Sequence, residues 1–196
     1  MGTEIELLFA SQNKNKVIEI QSALAGKYVI KSLNDVGFEA ELDEPYDTFE
    51  ANAKIKAKQG YDIFGLPCFA EDAGLVIKSL NGRPGVLSAR YAGDDKNPQS
   101  NIEKVLIELQ GIDDRTAYFI ACIAFYDGKD YQLFEGKVFG QILDRRQGDY
   151  GFGYDPIFLP DGYEQSFGQL SLDIKNKISH RAMAVKKFID FLQEKT

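Results

Sequence analysis

Two long β-rich runs, Thr116–Tyr126 and Tyr131–Ile142, flank Asp127-Gly128, and this late hairpin signal constrains the fold more than any other segment. Upstream of it, strand and helix patterns alternate. Glu4–Ala10 reads as a buried strand, followed by a polar turn, a helix over Lys16–Leu24 and a short strand at Tyr28–Ser32. A helix from about Thr48 to Tyr61 places Phe49, Ala53 and Ala57 on one face. Pro67–Asp72 and Leu75–Leu80 read as two strands around Ala73-Gly74, and Asn81-Gly82-Arg83-Pro84-Gly85 is rich in turn residues. Ile102, Val105, Leu106 and Leu109 follow the i, i+3, i+4, i+7 rule of an amphipathic helix. The last helix, Ser179–Glu194, turns Ala184, Phe188, Phe191 and Leu192 to the core. Early alternation followed by a hairpin gives an α/β protein with a mixed sheet and flanking helices. No internal repeat, low-complexity tract or linker interrupts it, so residues 1–196 read as one domain.

The composition narrows the class. Hydrophobic residues make up 44% of the chain and aromatics 12%, which excludes a disordered protein and provides for a substantial core. The net charge of -7 argues against broad binding to nucleic acid or to an anionic membrane surface. An anionic ligand must therefore be caught by local basic patches. Only Cys68 and Cys122 occur, both in apolar strand-like runs, and they read as small buried hydrophobes in a reducing compartment. No apolar stretch approaches the roughly 20 residues that a membrane span requires, so a cytoplasmic location is expected.

Basic patches stand where ordinary helix electrostatics would not put them. Ser11-Gln12-Asn13-Lys14-Asn15-Lys16 opens the first helix, and Ser179-His180-Arg181 opens the last, just after Lys175 and Lys177. A helix N-terminus carries roughly half a positive charge, so cations there cost about 0.3–1 kcal/mol each. A bound anion reverses the sign, because backbone N–H groups then act together with the cations. The helix near Thr48 shows the ordinary arrangement, with Asp47 before it and Glu50 in its first turn. Two exceptions in a chain that otherwise obeys the rule point to a phosphate-rich ligand.

Three further segments carry candidate chemistry. Phe69-Ala70-Glu71-Asp72-Ala73-Gly74 puts two adjacent carboxylates at the end of an apolar run, and strand alternation sends them to opposite faces. They are either solvated strand-end acids or include a metal ligand or general base. The acidic stretch Glu39, Glu41, Asp43, Glu44 and Asp47 is a solvated loop or supplies a second carboxylate for Mg²⁺, which takes one or two carboxylates with phosphate oxygens and water. Gly148–Pro156 combines glycines, aromatics and acids without the G-x-G-x-x-G order. It is a plain loop, or its backbone approaches a flat ligand on which Phe152 or Tyr154 stacks, a contact worth about 1–3 kcal/mol per base. His180, the only histidine, is a polar helix-start residue or a donor to a ligand oxygen. No P-loop or zinc-ligand spacing is present.

Taken in order, these segments closely resemble the inosine/xanthosine triphosphate pyrophosphatase family. The matching pieces are Ser11-x-Asn13-x-x-Lys16, Thr48–Ala53, Phe69–Leu75, Gly82–Tyr91, Gly151–Phe158 and Lys175–Arg181. The resemblance implies an elongated two-lobed mixed β-sheet with flanking helices and a central cleft, a divalent metal (usually Mg²⁺) and commonly a homodimer. It implies hydrolysis of non-standard purine nucleotides (ITP, dITP, XTP) to the monophosphate and pyrophosphate, a house-cleaning of the nucleotide pool. Carried onto this chain, the first turn would hold phosphates through Ser11, Asn13 and Lys16, with Gln12, Lys14 and Asn15 beside them. Asp72 would be the proton acceptor for water and a metal contact, next to Ala73; Asp43 and Glu44 would be further metal ligands. Phe152, Gly153, Tyr154 and Asp155 would form the base pocket, with Lys175, His180 and Arg181 also touching substrate. The chain departs from the usual pattern at Gln12, Ala73, Leu87, Gln169 and Ile174, where Gly, Ser, Tyr, Glu and Glu are frequent. Two rival functions are a nucleotide sensor without turnover and a hydrolase of modified pyrimidine nucleotides.

Overall fold

The computed structural model describes residues 5–24 and 28–194. Eleven elements carry the fold among them: β1 (Ile5–Phe9), α1 (Lys14–Leu24), β2 (Tyr28–Ser32), α2 (Phe49–Phe64), β3 (Cys68–Ile77), α3 (Pro98–Glu108), β4 (Thr116–Tyr126), β5 (Tyr131–Ile142), β6 (Phe158–Pro160), α4 (Leu172–Ile178) and α5 (His180–Glu194), with short 3-10 turns between β3 and α3 and before β6 completing the path. The six strands form one mixed sheet in the order β2-β1-β3-β4-β5-β6. β1 runs parallel to β2 and β3, while β6 is antiparallel to β5. The α/β fold with a mixed sheet and flanking helices is as expected.

The chain packs as two compact units. The first takes the chain up to Asp72, Ala121–Gly136 and the chain from Arg181 onward. In it α1 is the crossover that a parallel β1–β2 pair requires. Thr48 caps α2, its hydroxyl accepting from the Ala51 amide at 3.3 Å, and Gly65 ends the helix in the left-handed region that suits glycine. Phe188 of α5 anchors the core of this unit, its ring 5.0 Å from Phe69, 5.3 Å from Phe134 and 5.7 Å from Phe125. Cys68 and Cys122 are buried and reduced, and burial pushes the Cys68 thiol up to about 12.

The second unit takes Ala73–Ile120 and Lys137–His180. Its core gathers Leu75 and Ile77 of β3, Ile102 and Val105 of α3, Phe119 of β4, and Ile157, Phe158 and Phe167. Asn97 caps α3, accepting from the Gln99 and Ser100 amides, with Pro98 in the first turn where its missing N–H costs nothing.

Three readings of the sequence are corrected. Pro67–Asp72 and Leu75–Leu80 are not two strands. β3 runs unbroken through Ala73-Gly74, because Gly74 is not among the positive-φ glycines and the backbone stays extended. Residues Lys78–Leu80 leave the strand as a 3-10 turn. A short helix, α4, precedes α5, and Ser179 closes it by donating its N–H to the Lys175 carbonyl. Glu4, with which the expected first strand begins, lies outside the described residues.

Because Phe188 is fully buried among three aromatic rings, Phe188→Ala is expected to cost about 3–5 kcal/mol of stability, read from urea unfolding. A loss below about 1 kcal/mol would show that this ring is not the anchor of the first unit.

Candidate active site

The first unit brings the amino-terminal turn, the paired acids and the start of α5 into one buried ionic group. Glu71 is 1% exposed. Its carboxylate accepts from Arg181 Nε and Nη2, both at 2.8 Å, in the two-pronged geometry that suits guanidinium and carboxylate. Arg181 also donates through Nη1 to Glu19 of α1. Burial alone would lower the Arg181 pKa, but Glu71 and Glu19 together outweigh it and hold the guanidinium above its ordinary value. Lys16 Nζ lies 3.5 Å from the Glu71 carbonyl oxygen and 3.9 Å from its carboxylate. Burial is the largest influence on Lys16 and lowers its pKa, with Lys56 and Arg181 acting the same way against Glu71 and Asp72.

Asp72 faces a different set of partners, as strand alternation demands. Asn52 Nδ2 donates to Asp72 Oδ2 at 3.1 Å, and Lys56 Nζ stands 3.7 Å from Oδ1. The same ammonium donates to the Glu71 carbonyl at 2.9 Å and to Glu44 Oε1 at 3.0 Å. Burial raises the Asp72 pKa above the usual carboxylate range; Lys56, Lys16 and the Asn52 bond oppose it, while Glu44 adds to it. Two ammonium groups, of Lys16 and Lys56, thus converge on one carbonyl oxygen beside a buried carboxylate. That arrangement can receive anionic oxygens and hold a proton acceptor next to them.

The amino-terminal turn differs from the expected bare anion cradle. Asn13 Oδ1 accepts from the Asn15 and Lys16 amides, and Ser11 Oγ accepts from the Asn13 amide. Three N–H groups are therefore already capped, and the positive charge available to a ligand comes from Lys16, with Lys14 exposed in the same turn. Gln12 ties down the loop that follows β2, donating to the carbonyls of Phe38 and Ala40.

The metal candidates separate. Glu44 and Asp72 are drawn round the Lys56 ammonium, whereas Asp43 is exposed and held through its backbone by Gln59. Among the described residues no three His, Cys, Asp or Glu side chains gather as a self-sufficient metal cage. Glu44 and Asp72 set two hard oxygen donors round one ammonium, a donor set that fits Mg²⁺, which needs only one or two carboxylates when phosphate and water complete its shell.

The second unit holds the other candidates. Asp155 Oδ2 accepts from the Phe152 amide at 2.7 Å and from Lys175 Nζ at 2.6 Å. Lys175 in turn stands 4.9 Å from the centroid of the Phe152 ring. A Cβ on Gly151 would fall 2.1 Å from Asp155 Oδ2, so this loop closes only with glycine there. Tyr154 is buried and donates its hydroxyl to the Ser88 carbonyl at 2.8 Å, so its ring belongs to the core. Phe152 is half-buried and remains the stacking candidate, next to half-buried Gly153. His180 lies flat against Phe119, with centroids 4.8 Å apart. Ala73 is half-buried in β3.

The sequence matches the Ham1 family over residues 7–191. The chain belongs to that family. A relative from Christiangramia forsetii, named dITP/XTP pyrophosphatase, is 45% identical over 190 residues, covering 97% of this chain and all of its own. One of the same name from Bacillus subtilis is 45% identical over 192 residues, covering 96% of this chain and 97% of its own. The solved structure of the Staphylococcus aureus Ham1 protein superposes with a TM-score of 0.88 at 34% identity, over 97% of this chain and 100% of that one. A HAM1 protein from Coxiella burnetii gives the same TM-score at 35% identity, over 97% and 99% of the two chains.

Asn52, Lys56, Glu19 and the pairing of Glu71 were missed from sequence. One local signal existed for two of them: Asn52 and Lys56 are polar residues interleaved with Ala53, Ala57 and Gly60 on the buried face of α2. Glu71→Gln takes away the buried carboxylate on which both Arg181 and Lys16 close, and is expected to destabilise the fold by about 3–5 kcal/mol in chemical denaturation. A change under about 1 kcal/mol would mean that the buried group does not hold this unit together.

Proposed function

We propose that this Ham1-family chain is a nucleoside-triphosphate pyrophosphohydrolase that converts non-standard purine nucleotides, dITP, XTP and ITP, to the monophosphate and pyrophosphate. It is a hydrolase of nucleotide metabolism. The observation that carries the reading is Asp72: a buried carboxylate of β3 held between the Asn52 amide and the Lys56 ammonium, with Lys16 also acting on it. The relatives named dITP/XTP pyrophosphatase, aligned over the whole chain, support the substrate class.

Asp72 takes a proton from water as the water oxygen bonds to the α-phosphorus; the bond to the bridging α–β oxygen breaks and pyrophosphate leaves with that oxygen. General base assistance of this kind is worth about 10²–10⁴-fold. Lys16 and Lys56 offset the charge that moves onto the leaving pyrophosphate. Glu44 and Asp72 would hold Mg²⁺, with Asp43 next to them in sequence. When bound, Mg²⁺ neutralises phosphate oxygens.

Phe152 stacks on the base, held by Asp155 and Lys175. His180, steadied by Phe119, donates to the 6-oxo group that hypoxanthine and xanthine carry and adenine lacks. Arg181 contributes by fixing Glu71, since Nε, Nη1 and Nη2 all point to carboxylates. We further infer a homodimer, on the resemblance, and a reducing, cytoplasmic setting, which the two buried thiols suit. Among the described residues no helix is long and apolar enough to cross a membrane.

Asp72→Asn keeps the Asn52 bond and the shape of the site while removing the proton acceptor. Turnover of dITP is expected to fall by about 10²–10⁴-fold while dITP binding, measured by calorimetry, changes by less than about tenfold. Full turnover in that variant would exclude Asp72 as the base.

A further inference from the structure

A polar stripe on α2 faces the acidic loop in a regular way. Asn52, Lys56 and Gln59 stand at i, i+4 and i+7 and therefore share one side of the helix. Asn52 accepts from the Tyr46 amide at 2.9 Å and donates to the Tyr46 carbonyl at 2.9 Å. One end of the stripe further on, Gln59 does the same to Asp43, accepting from its amide at 3.1 Å and donating to its carbonyl at 3.3 Å. Between them Lys56 holds the Glu44 carboxylate. Residues 43, 44 and 46 thus run along α2 in reverse order, and two side-chain amides pair with loop backbone as a neighbouring strand would. Asn52 has one N–H left after Tyr46, and that N–H goes to Asp72 Oδ2.

We propose that this stripe docks the segment Asp43–Tyr46 onto α2 and that Asn52, through its second N–H, is a positioning residue that sets the orientation of Asp72. The loop that carries Glu44 and the strand that carries Asp72 are then fixed by one side chain. The kinetic part rests on the reading of Asp72 as the base; the docking part does not.

The test joins hydrogen exchange to steady-state kinetics with dITP at saturating Mg²⁺. In Asn52→Ala the Tyr46 amide is expected to exchange at least about tenfold faster while the amides in the middle of α2 keep their protection. In the same variant kcat falls about tenfold or more and KM stays within about twofold, because ground-state contacts to the nucleotide remain. Asn52→Asp separates the two roles: it keeps an acceptor for the Tyr46 amide but lacks the donor to Asp72, so Tyr46 stays protected and kcat still falls. Gln59→Ala, a change away from Asp72, speeds exchange at the Asp43 amide. Wild-type kcat in Asn52→Asp overturns the positioning role. Unchanged exchange at Tyr46 in Asn52→Ala and at Asp43 in Gln59→Ala overturns the docking strip, and the Gln59 variant decides that point should Asn52→Ala not fold. If Asp72→Asn proves active, the base reading fails and the exchange results alone support or overturn the strip.

Discussion

An ionised carboxylate with almost no access to water has to be neutralised where it stands, and Glu71 sets that requirement for the first unit. Arg181 meets it with a two-pronged bond, Glu19 holds the far side of the guanidinium, and Lys16 closes on Glu71 from α1. Three elements far apart in the chain are thereby fixed together: α1, β3 and α5. Removing one member of such a group leaves another charge buried without compensation, which costs more than the group gains by being there. The arrangement is therefore all-or-none, and it places two lysine ammonium groups within reach of one carbonyl oxygen.

Adjacent acids have opposite tasks because a strand alternates its faces. Glu71 is consumed by Arg181 and Lys16, while Asp72 is lifted above the usual carboxylate range chiefly by burial and held by one amide and one ammonium. The second unit repeats the device on a smaller scale. Asp155 is shared between the Phe152 amide and Lys175, so the aromatic ring is held by a carboxylate that itself stays out of the chemistry. In both units a buried acid organises what lies next to it.

Much of this was legible in the sequence, and the part that was not has a physical cause. The hairpin around Asp127-Gly128, the amphipathic pattern of α3 and the buried cysteines are local properties, and local properties are what a sequence displays. The break expected at Ala73-Gly74 failed because small residues permit a turn without requiring one. α4 escaped because seven residues give too few turns to show a period. The ion pairs escaped because Glu19 and Arg181 are 162 positions apart, and Glu71 and Arg181 are 110 apart. No periodicity links such residues. The cationic helix starts are read from the sequence as anion sites; in the structure Asn13 and Ser11 cap the first turn, and Arg181 serves Glu71.

The account as a whole rests on attack at the α-phosphorus of a purine nucleotide that carries a 6-oxo group. The most direct measurement incubates the purified protein with dITP or dATP and Mg²⁺ in ¹⁸O-labelled water and resolves the products by mass spectrometry. The predicted result is dIMP and pyrophosphate in equal amounts, the label in dIMP, and a kcat/KM for dITP at least about 10²-fold above that for dATP. Release of orthophosphate with dIDP, label in the pyrophosphate, or equal hydrolysis of dATP would contradict it.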